Sequence, residues 1–337
     1  MCAHLAAVLP THTPQLFAAA VEKAAAFLLS GQVVALPTET VYGLAANAFD
    51  AEAVVRIFNA KGRPAHNPII VHVASLELAQ ECVSDWPPLA GRLAAAFWPG
   101  PLTLVLPRSS RVPDVVTAGG DTVGIRWPSH PFIQAVIREC KFPLAAPSAN
   151  VSNQLSPTNA THVLKGLGDK IPLIVDGGQS QVGIESTVLD ISVSPPHLLR
   201  PGMIHEQSLL AVTSELAVGP SRAQILKSPG QLPKHYAPKA NLAILSWQND
   251  ADLKAQSSKF EVQSSKLYFV CHTRIPSIGD RARISVIPHD PEAFARAIYA
   301  ELHQCDEAGA ELIVIEALPE TPEWNAIRDR LTRAAAE

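Results

Sequence analysis

The sequence has few of the residues that announce a chemistry on their own. Its five cysteines, Cys2, Cys82, Cys140, Cys271 and Cys305, are scattered, odd in number and form no C-x-x-C pair. That excludes a disulfide frame and a cysteine-held zinc, and it predicts free thiols in a reducing compartment. None of the twelve histidines falls in an H-E-x-x-H or other metal-ligand spacing. G-x-S-x-G, G-x-x-x-x-G-K-[ST] and G-x-G-x-x-G are all missing. A hydrolase elbow, a Walker-type phosphate loop and a dinucleotide fingerprint are thereby excluded. Positive charge is in short supply too: the formal net charge is -4. Residues 1–220 carry 13 Lys/Arg against 16 Asp/Glu, and residues 221–337 carry 14 against 15. Neither half is a basic domain, so any contact with RNA has to be a local patch. No apolar run approaches the roughly 18 residues of a membrane helix. The N-terminus has an apolar Leu5 to Leu9 without leading cations, a poor secretory signal, so a cytoplasmic location is expected.

What is present is an ordinary globular composition, 47% hydrophobic over 337 residues, long enough for two domains with cores of their own. The chemistry-bearing residues gather between Leu36 and Val73. A branched strand, Gln32 to Leu36, runs into a turn crowded with the hydroxyls of Thr38, Thr40 and Tyr42. A helix of about three turns follows. Asp50 is its N-cap, Val54, Val55 and Phe58 form its apolar face, and Gly62 and Pro64 stop it just after Lys61. Pro68 to Val73 then reads as a buried strand carrying His72. Lys61 and Arg63 alone would be a solvated helix terminus, where the helix dipole favours cations. Their setting at consecutive strand ends makes them part of a site, because open α/β sheets bind ligands there. Both side chains are expected to follow the helix end rather than fill a core, so that replacing either should leave the fold intact.

Further strands are predicted at 102–106, 122–127, 142–146, 171–175, 187–191 and 197–199, and helices at 14–30, 76–83, 88–97, 131–139, 161–167 and 206–216. The polar, Gly-rich stretch 108–121 reads as a loop. This irregular alternation predicts an α/β fold, a twisted mixed sheet with flanking helices. Residues 218–238 hold four prolines, two glycines and no sustained period, the composition of a linker. Beyond it, strands at 241–247, 267–271, 283–287 and 311–317 alternate with helices, one of them capped by Asp290 with Pro291 at its first position. A small Rossmann-like domain with a parallel sheet is expected. The domains are thus 1–217, catalytic; 218–238, linker or lid; and 239–337.

Lys, Arg, Ser, Thr and Asn at strand ends suit the positioning of anions better than covalent catalysis. Lys61, Arg63 and Arg200 supply positive charge, with Asn67, Ser148, Asn150 and Ser156 as neutral donors. Arg126, in a buried-looking strand, is costly unless an anion pairs it, either a ligand carboxylate or an internal Asp or Glu. Taken alone, His72 between two valines is a hydrogen-bonded core residue, and Ser148 and Asn150 are turn formers.

Leu36 to Val73, Ser148-Ala149-Asn150, Gly183 to Val188, Arg200-Pro201-Gly202 and His235-Tyr236-Ala237-Pro238 stand in one order. In that order the chain resembles the YrdC-type threonylcarbamoyl-AMP synthases, in their longer two-domain form. The resemblance implies a YrdC-like fold and a nucleotidyltransferase. Its product would be L-threonylcarbamoyl-AMP, made with pyrophosphate from L-threonine, bicarbonate or CO2, and ATP. By resemblance Arg63, Asn67, Thr122, Ser148, Ser156 and Arg200 contact ATP. Lys61 and Asn150 belong to the same blocks, and Lys61 and Arg63 act in catalysis. Thr40, His72, Arg126, Ser186 and a main-chain group at Ala146 hold L-threonine, and Tyr236 reaches ATP as the linker folds back. Mg2+ would accompany ATP, with no metal ligands identified. The partners implied are threonylcarbamoyl-transfer proteins acting on tRNA, and direct contact with RNA is left open. The rival reading is an RNA-binding module without catalysis. Two positions depart from the family pattern: Asn153 stands in place of a glycine, a mild change because Asn tolerates the left-handed conformation, and Gln231 in place of a methionine.

Overall fold

Short runs whose residues alternate between two destinations build the principal sheet of the computed structural model, which describes residues 5–219, 226–230, 236–257, 259–260, 266–277 and 283–336. Two compact units are present, one formed by residues up to 232 other than 153–155, the other by residues 153–155 and those beyond 232. The first unit begins β1 (Ala7–Pro10), α1 (Pro14–Leu29), β2 (Val34–Leu36), β3 (Gly43–Asn47), α2 (Ala51–Lys61), β4 (Val71–His72), α3 (Leu76–Glu81) and α4 (Pro88–Phe97). It continues β5 (Leu102–Pro107), α5 (Asp114–Thr117), β6 (Thr122–Arg126), α6 (Pro131–Cys140), β7 (Leu144–Ala145), α7 (Ala160–Leu167) and β8 (Leu173–Asp176). It closes with β9 (Thr187–Asp190), β10 (His197–Arg200), α8 (Glu206–Thr213) and β11 (Ala217–Val218).

The strands form one sheet in the order β1-β8-β2-β3-β7-β4-β6-β5-β9-β10-β11, with parallel and antiparallel neighbours mixed. Period-two alternation sends successive side chains to opposite faces. Val34, Leu36, Ala45, Leu173 and Val175 join a core with α1 and α6. Ala35, Leu44, Ala46 and Ile174, their immediate neighbours in sequence, join a second core with α2, α4 and α7. The sheet is therefore covered on both faces, the mixed architecture that the sequence predicts.

Local chemistry fixes the element that carries Lys61. Asp50 Oδ1 accepts from the N–H groups of Glu52 and Ala53 at 3.0 and 3.2 Å, opening α2. Gly62, at φ +60°, closes it in the left-handed conformation. Four features depart from the sequence expectations. Gly43–Asn47 is a strand rather than part of the hydroxyl-rich turn, because its small residues pair with β2 and β7. Ala7–Pro10 is an edge strand on β8, and Asp114–Thr117 is a short helix inside the expected loop. The strand carrying His72 is only Val71–His72, since Arg63 takes the Pro68 carbonyl and Val116 the Ile69 N–H.

The second unit holds β12 (Asn241–Leu245), α9 (Asp250–Ser257), β13 (Leu267–Cys271), β14 (Arg283–Val286), α10 (Pro291–Glu307), β15 (Leu312–Glu316) and α11 (Asn325–Ala334). Its four strands are all parallel, in the order β12-β15-β13-β14, and Asp290 caps α10 by accepting from Ala293 N at 2.8 Å. At the carboxyl end of β15 the Glu316 carboxylate accepts from the N–H groups of His272, Thr273 and Arg274, so the loop after β13 is held by one side chain. Asn153, at φ +66°, takes the left-handed conformation that its departure from glycine requires.

Of residues 218–238, 220–225 and 231–235, including Gln231, Lys234 and His235, lie outside the described residues. Lys227 packs in the first unit, its Nζ 2.8 Å from Asp190 Oδ2 and 3.1 Å from Ser192 Oγ. Cys2 is also outside the described residues. Cys82, Cys140, Cys271 and Cys305 are free and buried, and burial pushes each thiol up to about 12, so these sulfurs are inert. Among the described residues no helix is long and apolar enough to cross a membrane.

The turn after β10 is packed against the β9 backbone, and a methyl group on Gly202 would lie 2.3 Å from Thr187 N and 2.6 Å from its Oγ1. Gly202→Ala is expected to lower stability by about 1–3 kcal/mol through overpacking. The check is the melting temperature of the variant by calorimetry, and an unchanged transition would show that the turn yields freely.

Candidate active site

Among the described residues of the first unit four cations are buried, Lys61, Arg63, Arg126 and Arg200, and protein oxygens take the place of water around each. Lys61, the last residue of α2, is 1% exposed. Its Nζ donates to Ser148 O at 2.6 Å, Asn150 O at 2.5 Å and Asn150 Oδ1 at 3.4 Å. Ser148 Oγ donates to Asn150 Oδ1 at 2.5 Å, so the Ser-Ala-Asn turn is folded around the ammonium. Burial, and then the charge of Arg63, push Lys61 well below the ordinary lysine value. Arg63 donates through Nε to Asn67 O at 3.0 Å and through Nη2 to Asn67 Oδ1 at 2.8 Å and Pro68 O at 2.6 Å. The Asn67 Nδ2 is buried with no hydrogen-bond partner among the described residues, a donor left for a ligand.

These contacts correct the expectation that Lys61 and Arg63 merely follow a helix end. Both are buried, and Lys61 spends its N–H groups on the protein.

Arg126 ends β6, in register with His72 on β4. Its Nη1 donates to Thr40 Oγ1 at 2.8 Å, its Nε to Gly100 O at 3.3 Å, and its Nη2 lies 2.7 Å from Glu39 Oε1. Both partners of this ion pair are under a tenth exposed. Burial raises the Glu39 carboxyl, but the Arg126 charge and backbone N–H groups more than offset it and hold the carboxyl below its ordinary value. Burial and the same guanidinium push His72 down to about 3, so its ring is neutral. Ala146 donates its N–H to Ile70 O at 3.1 Å, beside β4.

Arg200 ends β10. Its Nε donates to Ser186 O at 3.0 Å, its Nη2 to Ser186 Oγ at 3.1 Å, and its Nη1 to Pro229 O at 3.3 Å. Ser186 Oγ also meets Thr103 Oγ1 at 2.8 Å. Ser156 Oγ donates to Glu185 Oε1 at 2.6 Å. The Gly183 to Thr187 segment thus joins the groups, since Gly183 N donates to Thr40 O at 3.1 Å and Val182 N to Glu39 O at 2.7 Å.

The structure therefore brings Lys61, Ser148 and Asn150 together, Arg63 with Asn67, Thr40 with Arg126 and His72, and Ser186 with Arg200. Thr122 sits at the opposite end of β6 from Arg126, about 13 Å away at the strand rise. Tyr236 lies in the second unit, buried at φ +63°, its ring 6.1 Å from Tyr299 with the Arg330 guanidinium 5.4 Å above it. Glu39, Thr103 and Gly100 were not among the sequence candidates. The signal for Glu39 was available, because a buried Arg126 demanded an anion and the Glu stands beside Thr40.

Two family models cover the chain: one described as telomere recombination, of the Sua5, YciO and YrdC type, matches residues 26–202, and the other, threonylcarbamoyl-AMP synthase C-terminal domain, matches residues 203–336. The chain is 40% identical over 319 residues to the threonylcarbamoyl-AMP synthase of Pyrococcus abyssi, covering 93% of each. It is 39% identical over 341 residues to that of Bacillus subtilis, covering 97% of this chain and 94% of the relative. The crystal structure of P. abyssi Sua5 complexed with L-threonine superposes with a TM-score of 0.89 at 38% identity, over 97% of this chain and 96% of that one.

Two outcomes follow from the buried cations. Lys61→Ala leaves two carbonyls without their donor and is expected to cost at least about 2 kcal/mol, so the variant melts lower as well as losing activity. The Glu39 carboxyl is depressed in the fold, so its stability contribution is complete above the ordinary value of 4.5 and lost as pH falls through the folded value. Melting curves of wild type and Glu39→Gln should therefore converge as the pH is lowered below 4.5, and a constant gap would contradict the pairing.

Proposed function

The chain belongs to the Sua5, YciO and YrdC family, and from that premise we propose that it is a nucleotidyltransferase forming L-threonylcarbamoyl-AMP and pyrophosphate from L-threonine, bicarbonate or CO2, and ATP. The observation that carries the reading is the coexistence in one unit of two anion sites of different balance. Around Lys61 the ammonium is held by carbonyls, and Arg63 adds like charge. Such a site suits a polyphosphate, whose oxygens need fixed positive charge. Around Arg126 the guanidinium is already paired and flanked by Thr40 and a neutral His72. That suits the carboxylate, ammonium and hydroxyl of an amino acid.

In the proposed course the threonine ammonium first gives up a proton to solvent, the neutral nitrogen then bonds to the carbon of CO2, and loss of a second N–H proton to solvent leaves a carbamate. A carbamate oxygen then attacks the α-phosphorus, and the bond to the β-phosphate oxygen breaks to release pyrophosphate. Arg126 and Thr40 hold threonine, His72 offers a neutral ring beside them, and Ser186 is fixed by Arg200 and Thr103. Arg63, Asn67, Ser148 and Asn150 line the triphosphate, with Ser156, Thr122 and Arg200 as further ATP contacts. ATP would be taken up as its Mg2+ complex, the ion travelling with the substrate and supplying charge neutralisation on the pyrophosphate side. The adenylate is an activated acyl donor, so it is passed on in the cytoplasm to transfer proteins that modify tRNA.

Pyrophosphate release with ATP and Mg2+ tests the reaction when L-threonine or bicarbonate is left out in turn. Release is expected only when both are present. A rate indifferent to both omissions would remove the assignment.

A further inference from the structure

Arg126 and Lys61 are both buried cations, but they are neutralised differently. Lys61 has carbonyl partners and the neighbouring charge of Arg63. Arg126 has a carboxylate. Glu39 is fixed in place from its own backbone: Val182 N donates to its carbonyl at 2.7 Å and Gly183 N to that of Thr40 at 3.1 Å, while Thr38 Oγ1 meets Thr40 Oγ1 at 2.9 Å. Thr40 and Gly100 take two of the guanidinium's five N–H groups by hydrogen bonds, while Nη2 faces Glu39 Oε1 as an ion pair and makes no hydrogen bond among the described residues.

We propose that Glu39 is the specificity-determining residue of the amino-acid subsite: paired with Arg126, it makes that subsite electrically neutral, so the subsite accepts the carboxylate of a zwitterion and rejects the phosphate anions drawn in by the neighbouring cations. The inference rests on the preceding reading, in which Arg126 receives the carboxylate of threonine. A zwitterion brings no net charge into a buried neutral site. Phosphate or pyrophosphate would bring negative charge that nothing there balances, beside a carboxylate that repels it. The other titratable rings at the subsite supply no compensation. His72 is neutral, and burial lowers His130, against the charge of Glu39. Discrimination of this kind works by penalising the wrong ligand rather than by tightening the right one. It meets a need created by the reaction, which brings a polyphosphate and an amino acid to one unit and leaves pyrophosphate behind.

The test is calorimetric titration of L-threonine into the full-length protein, with and without inorganic pyrophosphate, for wild type, Glu39→Gln and Glu39→Asp. Pyrophosphate should leave the threonine Kd of wild type nearly unchanged. In Glu39→Gln it should raise the apparent Kd by about tenfold or more, the scale on which like-charge repulsion enforces specificity. Glu39→Asp keeps the charge and should behave as wild type. Competition already present in wild type, or equal indifference in Glu39→Gln, would overturn the role of Glu39 alone. Failure of wild type to bind threonine would overturn the threonine reading and this inference with it. Should Glu39→Gln not fold, the native protein still decides: 2,3-dihydroxybutyrate, which replaces the ammonium by a hydroxyl and so carries net negative charge, should bind about tenfold more weakly than L-threonine. Equal binding of the two would refute the proposal.

Discussion

Burying positive charge is the constraint on which the first unit depends. A cation removed from water must be resolvated by the protein, or its cost exceeds the stability of a typical domain. Here the substitutes for water are carbonyls and hydroxyls distant in sequence. Lys61 draws in Ser148 and Asn150, and Arg126 draws in Thr40, Gly100 and Glu39. Arg200 draws in Ser186 and Pro229. Each cation therefore crosslinks segments that the sheet alone would leave as loops. The strands bring the loops to one neighbourhood, and the cations fix their conformation.

That division explains what was legible in the sequence. Elements with local signals were readable: α2 from Asp50 and Gly62, α10 from Asp290 and Pro291, and the apolar faces of α1 and α6. Elements without such signals are made by their neighbours. Gly43–Asn47 has no β-branched residue, so its pairing is imposed by the sheet rather than by propensity, and the strands expected at 68–73 and 142–146 are present but shortened to two paired residues each. The site shows the same split. Its residue types point to anion positioning, but the burial of Lys61 has no local signal, because a lysine at a helix end is solvated unless distant carbonyls meet it. The same holds for Glu39. Its meaning lies in Arg126, far along the chain, and nothing local in Thr-Glu-Thr separates an ion pair from a turn.

The second unit is built by a different logic. Its parallel strands are satisfied by their own ladder, and the charged group at their carboxyl end, Glu316, closes a loop within the unit by accepting three successive N–H groups. Tyr236 is held there in a left-handed conformation that few bulky residues adopt, with Tyr299 and Arg330 against its ring. Such strain persists only where the surroundings over-determine the residue. Packing of this ring therefore accounts for the position of Tyr236 within its own unit.

The Gly183 to Thr187 segment gives the site its unity. At one end its backbone holds the carbonyl of Thr40, and through Ser186 it is held by Arg200 and Thr103. The proposed division of residues between an ATP set containing Arg200 and a threonine set containing Ser186 is therefore crossed by direct hydrogen bonds. Two side chains held to one another by direct hydrogen bonds keep a fixed separation, and fixed separation is the larger part of what the proposed phosphoryl transfer asks of a protein.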